Sequence, residues 1–264
     1  MNKIILLIIA ASLAGCATPA QRFAETALEL DFKAEIIASA QFQHQVYSST
    51  PLMGRKTLHV YLDGDGTPWE RNRWVAVDPT ARNPLILRLM AQDKQAAILL
   101  GRPCYYGLNH SSECHNKFWT SHRYSKEVVD SMASVLNAWL TRHKFNNVVL
   151  IGYSGGGSIA MLMADKIKNL MKVVTVSANL NVTAWSQFHG YSALKESLNP
   201  ADETKLDGQI EQFHFAGQDD DIVPAFIINE YADSQKNAKY YELAETDHSC
   251  CWEDEWPAIL RIIE

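Results

Sequence analysis

The run Gly152-Tyr153-Ser154-Gly155-Gly156-Gly157 directly follows the apolar residues Val148-Val149-Leu150-Ile151. A Gly-x-Ser-x-Gly that closes a short β-branched run and opens an amphipathic segment puts its serine on a sharp strand-to-helix turn. Glycines flank it because side chains there would collide. A serine hydroxyl is a poor nucleophile near neutral pH. Ser154 therefore needs a base within hydrogen-bond reach and a carboxylate to orient that base. Two later stretches offer them. One is Phe213-His214-Phe215-Ala216-Gly217-Gln218-Asp219-Asp220-Asp221-Ile222-Val223-Pro224, which reads as a strand, a turn packed with carboxylates and a new helix. The other is Glu245-Thr246-Asp247-His248-Ser249, which carries the last of nine histidines. The chemistry such a set performs is acyl transfer through a covalent serine intermediate.

These segments resemble the α/β-hydrolases, in which the order along the chain is serine, acid, histidine. By that resemblance His248 is the base, since no other histidine follows the acid turn. The acid turn resembles the Gly-x-x-Asp-x-x-Val-Pro turn of many members. Aligning Gly217, Val223 and Pro224 selects Asp220, with Asp219 and Asp221 as alternatives. A tetrahedral intermediate also needs two donors where negative charge develops, each contributing about 3 kcal/mol of transition-state stabilisation. One is the backbone N–H of Gly155. The resemblance assigns the other to the loop after residues 58–62, here to the backbone of Asp65 in Asp63-Gly64-Asp65-Gly66-Thr67. Many members have His-Gly-x at this place. Two acidic side chains beside an oxyanion must point away, or fasten the loop through Arg71, Arg73 or backbone N–H groups.

Short apolar or alternating runs that could position these residues recur at 42–48, 57–62, 96–100, 147–151, 173–177, 212–216 and 239–243, with helical spacing between them. That alternation predicts a mainly parallel sheet covered by helices on both faces. Val128, Met132, Val135 and Trp139 form a helical stripe behind a Ser125 N-cap. Ile159, Leu162, Met163 and Ile167 form another, and Pro224 opens a helix through about Ser234. Residues 180–208, with Trp185, Phe188, His189 and Tyr191, fit no strand and predict a short cap over an open or shallow site. Trp69, Trp74, Tyr153 and Trp185 favour an apolar or acyl group at the mouth, although each could equally be core.

Lys3 is followed by an apolar stretch at 4–14, too short to span a bilayer, which reads as a secretory signal. Its end, Leu13-Ala14-Gly15-Cys16, resembles the bacterial lipobox, in which the cysteine becomes the lipid-modified first residue. The expectation is a signal peptide at 1–15, a lipid-proximal leader at 16–41 and a hydrolase domain at 42–264. The protein is then anchored in the cell envelope through Cys16. Ala17 after the cysteine points to the periplasmic face of the outer membrane in a Gram-negative cell.

Export favours disulfides among Cys104, Cys114, Cys250 and Cys251. Three connectivities exist. Cys104 with Cys114 closes a Gly/Asn/Ser-rich loop for roughly 3 kcal/mol, whereas Cys250 and Cys251 either pair or remain buried thiols.

A net charge of -6 argues against a nucleic-acid partner. Asp63-Gly64-Asp65-Gly66 fails as a calcium loop because Thr67, Pro68 and Trp74 stand where ligands are required. The glycines around Ser154 match neither a P-loop nor a dinucleotide fingerprint. No paired C-x-x-C supports a metal. From about 42 to 264 the chain resembles small bacterial lipoprotein members of the superfamily, with Asp-Gly-Asp-Gly after one strand and Arg102-Pro103-Cys104 after the next. The resemblance implies a cofactor-free serine hydrolase, acting on a small-molecule acyl substrate, first a carboxylic ester. A peptidase or amidase on the same triad, and a non-catalytic binding protein on a hydrolase scaffold, are the other readings.

Overall fold

The apolar runs pair edge to edge in the computed structural model, which describes residues 17–264 apart from 51, 53 and 204. Cys16 and the signal at 1–15 lie outside the described residues. In chain order the elements are α1 (Pro19–Glu29), β1 (Lys33–Ala38), β2 (Gln43–Ser48), β3 (Thr57–Leu62), the small hairpin β4 (Trp69–Glu70) and β5 (Trp74–Val75), α2 (Leu85–Ala91) and β6 (Ala96–Leu100). After them come α3 (Lys126–His143), β7 (Asn147–Tyr153), α4 (Gly155–Met163), β8 (Leu170–Val176), α5 (Val182–Phe188), β9 (Glu211–Gly217), α6 (Ala225–Ser234), β10 (Ala238–Leu243) and α7 (Trp252–Ile263). Eight strands form one sheet in the order β1-β2-β6-β3-β7-β8-β9-β10. Pairing is parallel from β6 through β10, and β2 runs antiparallel to both neighbours.

Strands β6 and β7 are near-continuous apolar runs because both sheet faces are covered there. All five residues of β6 are buried, as are the five interior residues of β7. The helix predicted behind Ser125 is α3, and the Ser125 hydroxyl accepts from the Val128 N–H. Its Val128, Met132, Val135 and Trp139 are buried. Pro224 caps α6 from just outside it, and Ile167 lies beyond the end of α4 but is still buried. These parallel strands share their C-terminal ends along one edge, where open α/β sheets bind ligands. Ser154 follows β7 on that edge, and the Asp63 loop follows β3.

Residues 17–41, expected as a leader outside the hydrolase domain, are part of the folded body. Thr18 and Gln21 form a reciprocal capping box at the start of α1, and Phe23 and Ala27 are buried. The Phe23 ring lies 4.7 Å from Tyr106 and 5.8 Å from Tyr47. Strand β1 then pairs along the whole of β2. It was not legible because it is an edge strand whose residues are largely exposed, so it lacks the apolar run that marks the central strands. Phe23→Ala is expected to cost about 3–5 kcal/mol in urea unfolding, as for a packed core aromatic. A cost below about 1 kcal/mol would show that α1 is not docked.

Candidate active site

Ser154 is held at the tip of the turn between β7 and α4 with φ 51° and ψ -124°, a backbone conformation that non-glycine residues rarely adopt. Such a residue costs on the order of 1–3 kcal/mol and persists only where its surroundings fix it. Its N–H donates to the Val176 carbonyl of β8 at 2.9 Å. On the other side a Cβ at Gly156 would collide with the carbonyls of Leu62 and Asp63, so only glycine lets α4 begin this close to β3.

The structure brings Ser154, His248 and Asp220 together. His248 Nε2 is 3.1 Å from Ser154 Oγ, and Nδ1 is 2.8 Å from Asp220 Oδ2. With Nδ1–H donated to the carboxylate, Nε2 faces the serine hydroxyl as an acceptor, the geometry a general base needs. Of the three candidate acids only Asp220 is turned inward, 5% exposed, while Asp219 and Asp221 are exposed. Its second oxygen accepts from the N–H groups of Ile222 at 2.9 Å and Val223 at 2.8 Å, which locks the carboxylate plane. Gln218 and Asp219 donate to the carbonyls of Leu243 and Thr246. The acid turn and the histidine loop are thereby stitched to each other.

Tyr153, expected at the mouth or in the core, instead braces the histidine loop. Its phenol donates to the His248 carbonyl at 2.8 Å, and its ring centroid is 5.3 Å from the imidazole. Burial raises the Tyr153 phenol well above its ordinary value, with Asp63, Asp220 and Asp247 adding to the shift, so it stays a donor. Past His248, Asp247 Oδ1 accepts from the N–H groups of Ser249 and Cys250, and the Asp247 carbonyl accepts from Trp252 Nε1 at 2.9 Å. Cys250 and Cys251 are joined to each other and lie at least partly exposed, which replaces the reading of them as buried thiols.

Asp65 lies across the turn from Ser154. Its carboxylate takes Arg102 Nη1 at 2.5 Å, Arg123 Nη1 at 2.8 Å and the Tyr124 hydroxyl at 2.7 Å. Its backbone carbonyl accepts from the Tyr105 hydroxyl at 2.9 Å. Burial alone would raise the carboxyl, but Arg123 and Arg102 hold it well below the usual carboxylate range. The fastening expected from Arg71 or Arg73 comes instead from these two buried arginines; both of the expected residues are exposed on the β4–β5 hairpin. Arg102 also donates to the carbonyls of Gly64 and Arg123, so one guanidinium ties three loops. The only sequence signal was Arg102 at the end of an apolar strand, and Arg123 offered none.

Asp63 is clamped in turn by the Gly64 N–H at 2.9 Å and the Tyr106 hydroxyl at 3.0 Å. Burial pushes its carboxyl up to about 6. A Cβ at Gly155 would run into the Asp65 carboxylate, so the loop carrying Asp65 and the start of α4 are in contact. As the first residue of α4, Gly155 has an N–H without an intrahelical acceptor. Among the described residues the Asp65 N–H likewise has no protein acceptor. Both are thus available to a developing oxyanion.

Cys104 and Cys114 are joined, Cα atoms 5.5 Å apart, which pins the loop that follows Arg102. A second serine–histidine contact, His44 Nε2 to Ser131 Oγ at 2.6 Å, is fully enclosed, and its Nδ1 is 2.9 Å from the Gly101 carbonyl rather than a carboxylate. Burial pushes His44 down to about 4. It lacks a carboxylate partner and holds β2 against α3.

The sheet order, the serine turn and the late histidine define an α/β-hydrolase. Residues 89–250, well over half of the chain, match the model of the serine hydrolase family FSH1, and the protein belongs to that family. No curated sequence matches the chain. Among solved structures it is similar to the Pyrococcus furiosus esterase, at 13% identity over 95% of this chain and 93% of that one, with a TM-score of 0.62. It is also similar to a Bacillus subtilis carboxylesterase, at 10% identity over 93% and 97% with a TM-score of 0.57. A third is an α/β serine hydrolase without a lid from Xanthomonas campestris, at 8% identity over 88% and 94% with a TM-score of 0.54. At these identities the likeness is one of fold.

Asp65→Asn leaves two buried guanidinium groups undercompensated and is expected to cost about 3–5 kcal/mol of stability by urea unfolding. A cost within about 0.5 kcal/mol would mean that solvent, not Asp65, balances them. For Asp63 the folded carboxyl titrates near 6, above its ordinary 3.8, so the unfolded chain ionises first as pH rises. This group therefore withdraws stability between about pH 4 and 6. In Asp63→Asn the amide oxygen still accepts from Gly64 while the amide nitrogen faces Tyr106. Its stability relative to the parent should be higher at pH 7.5 than at pH 4; an equal difference at both would contradict the shift.

Proposed function

We propose that the protein is a carboxylic-ester hydrolase of the cell envelope that works through an acyl-enzyme on Ser154. The observation that carries this reading is the continuous hydrogen-bonded line from Ser154 through His248 to Asp220. Ser154 Oγ attacks the ester carbonyl carbon while its proton passes to His248 Nε2. The imidazolium is stabilised by Asp220 and gives that proton to the departing alkoxide oxygen. Water, deprotonated by His248, then attacks the acyl-enzyme. The carboxylic acid leaves, and Ser154 regains its proton. In both tetrahedral intermediates the oxyanion sits between the N–H groups of Gly155 and Asp65.

An ester with an apolar acyl group suits the rim. Helix α5 is a short cap, tied down where Trp185 Nε1 donates to the Ile222 carbonyl at 2.7 Å. It leaves Phe188, Ile222 and Phe226 exposed beside the acid turn, with the two phenylalanine rings 5.7 Å apart. The fold neighbours that are named as an esterase, a carboxylesterase and a hydrolase without a lid support the same reading. The lipobox pattern ending at Cys16 supports placement in the envelope, held by acyl chains on that cysteine at the periplasmic face of the outer membrane.

A serine-reactive fluorophosphonate should label the parent at Ser154 and label neither Ser154→Ala nor His248→Ala. An unlabelled, folded parent would overturn the hydrolase site. On p-nitrophenyl esters of short and long chain, Asp220→Asn should lower kcat by roughly 10^4-fold. Hydrolysis of aminoacyl amides in preference to these esters would replace the ester reading by a peptidase or amidase. Mass spectrometry of the N-terminal peptide reads the anchor: acylated Cys16 is expected, and an unmodified mature terminus would refute it.

A further inference from the structure

The nine residues from Trp69 to Val77 gather exposed apolar and basic side chains. Trp69 is 43% exposed, Trp74 59% and Val77 72%, three large apolar side chains on one short hairpin and its exit. Between the tryptophans the turn carries Arg71 and Arg73, both exposed. Among the described residues neither has an ion-pair partner, whereas Glu70 is paired with Arg82 at 3.2 Å. The Arg73 guanidinium lies 5.0 Å over the Trp74 ring. In a chain of net charge -6 this is a local positive and aromatic tip against the general trend. Exposed tryptophans flanked by arginines that can reach past them match the interfacial zone of an anionic bilayer.

The tip is mounted rigidly on the edge of the sheet that holds the site. Ala76 N–H donates to the Pro68 carbonyl and Thr67 N–H to the Pro79 carbonyl, at 2.9 and 2.8 Å. Trp119 Nε1 and Asn109 Nδ2 donate to the carbonyls of Ala76 and Val77. The hairpin grows directly out of the loop that carries Asp65. What faces it is indicated by where α1 begins. The Ala20 N–H donates to Asp78 Oδ2 at 2.9 Å, so the start of α1 is tied to the residue that follows Val77. Cys16 is four residues earlier, at most about 14 Å of extended chain away.

We propose that the Trp69–Val77 segment is a docking surface for an anionic phospholipid bilayer, placed against the membrane by the anchor at Cys16 so that the Asp65 loop faces the lipid. This rests on the reading of Cys16 as the anchored residue. Acyl chains on Cys16 hold the protein at the bilayer but leave its orientation free. The hairpin removes that freedom, with tryptophans at the level of the headgroups and Arg71 and Arg73 on their phosphates. Esters with apolar acyl groups, which concentrate in the bilayer, then meet the Ser154 edge of the sheet.

The test uses the full chain produced with its own leader and reconstituted into vesicles of phosphatidylcholine and phosphatidylglycerol with brominated acyl chains, which quench tryptophans that enter the interface. The parent should be quenched, and Trp69→Ser/Trp74→Ser should lose most of the quenching while its thermal unfolding midpoint is unchanged. Arg71→Gln/Arg73→Gln, which keeps both tryptophans, should fall to the level that the parent shows on pure phosphatidylcholine. Equal quenching in parent and tryptophan variant, or no quenching of a parent acylated at Cys16, overturns the docking surface. Arginine variants quenched like the parent overturn its preference for anionic lipid. If the N-terminal peptide shows Cys16 unacylated, the anchor reading has failed, and the same comparison at saturating vesicle concentration still decides the surface. Fluorophosphonate labelling of the same samples reads the Ser154 site separately.

Discussion

The site depends on a half-buried carboxylate, Asp65, held between two buried guanidinium groups. Arg102 comes from the end of β6 and Arg123 from the loop before α3, so the three charges join loops that are 37 and 58 residues apart in the chain. Breaking such a set is strongly destabilising because it leaves a charge without its partner, even though the intact set adds little net stability. Its effect is on geometry. With the carboxylate held by Arg102, Arg123 and Tyr124, the Asp65 N–H is left without a protein acceptor among the described residues. In the proposed mechanism, a side chain that would repel an oxyanion instead clamps the loop whose N–H meets it.

The rest of the site is built by the same means, with side chains holding backbone. Asp220 is fixed by two backbone N–H groups of its own turn, and Tyr153 holds the backbone of His248. Ser154 is held at positive φ where α4 starts close against β3. Each reacting group therefore sits on a turn, and each turn is anchored by a buried polar contact to a neighbouring strand or loop. That preorganisation removes reorganisation at the moment charge develops, which is where enzymes of this chemistry gain most.

Much of this was legible in the chain. The strands at 57–62 and 96–100 have the bounds expected because buried parallel strands are mostly apolar with sharp polar ends. The serine turn was legible because its glycines answer a steric demand. The acid was legible only to within three adjacent aspartates, since choosing among them requires knowing which one the turn buries. Arg102 and Arg123 were not legible as partners of Asp65, because an ion pair between distant loops leaves no period or spacing behind. Residues 17–41 resemble a leader in the sequence for a related reason. Helix α1 and edge strand β1 acquire their apolar partners, Tyr47 and Tyr106 among them, only in the tertiary fold.

The most direct measurement of this account is a crystal structure of the protein after covalent reaction with an alkyl phosphonate, whose phosphonyl group stands in for the tetrahedral intermediate. The account predicts phosphorus bonded to Ser154 Oγ, with the phosphonyl oxygen about 2.7–3.1 Å from both the Gly155 and Asp65 nitrogens. In that adduct Asp65 should still be paired with Arg102 and Arg123. A phosphonyl oxygen turned to solvent, or an Asp65 carboxylate released from the two arginines in the adduct, would contradict it.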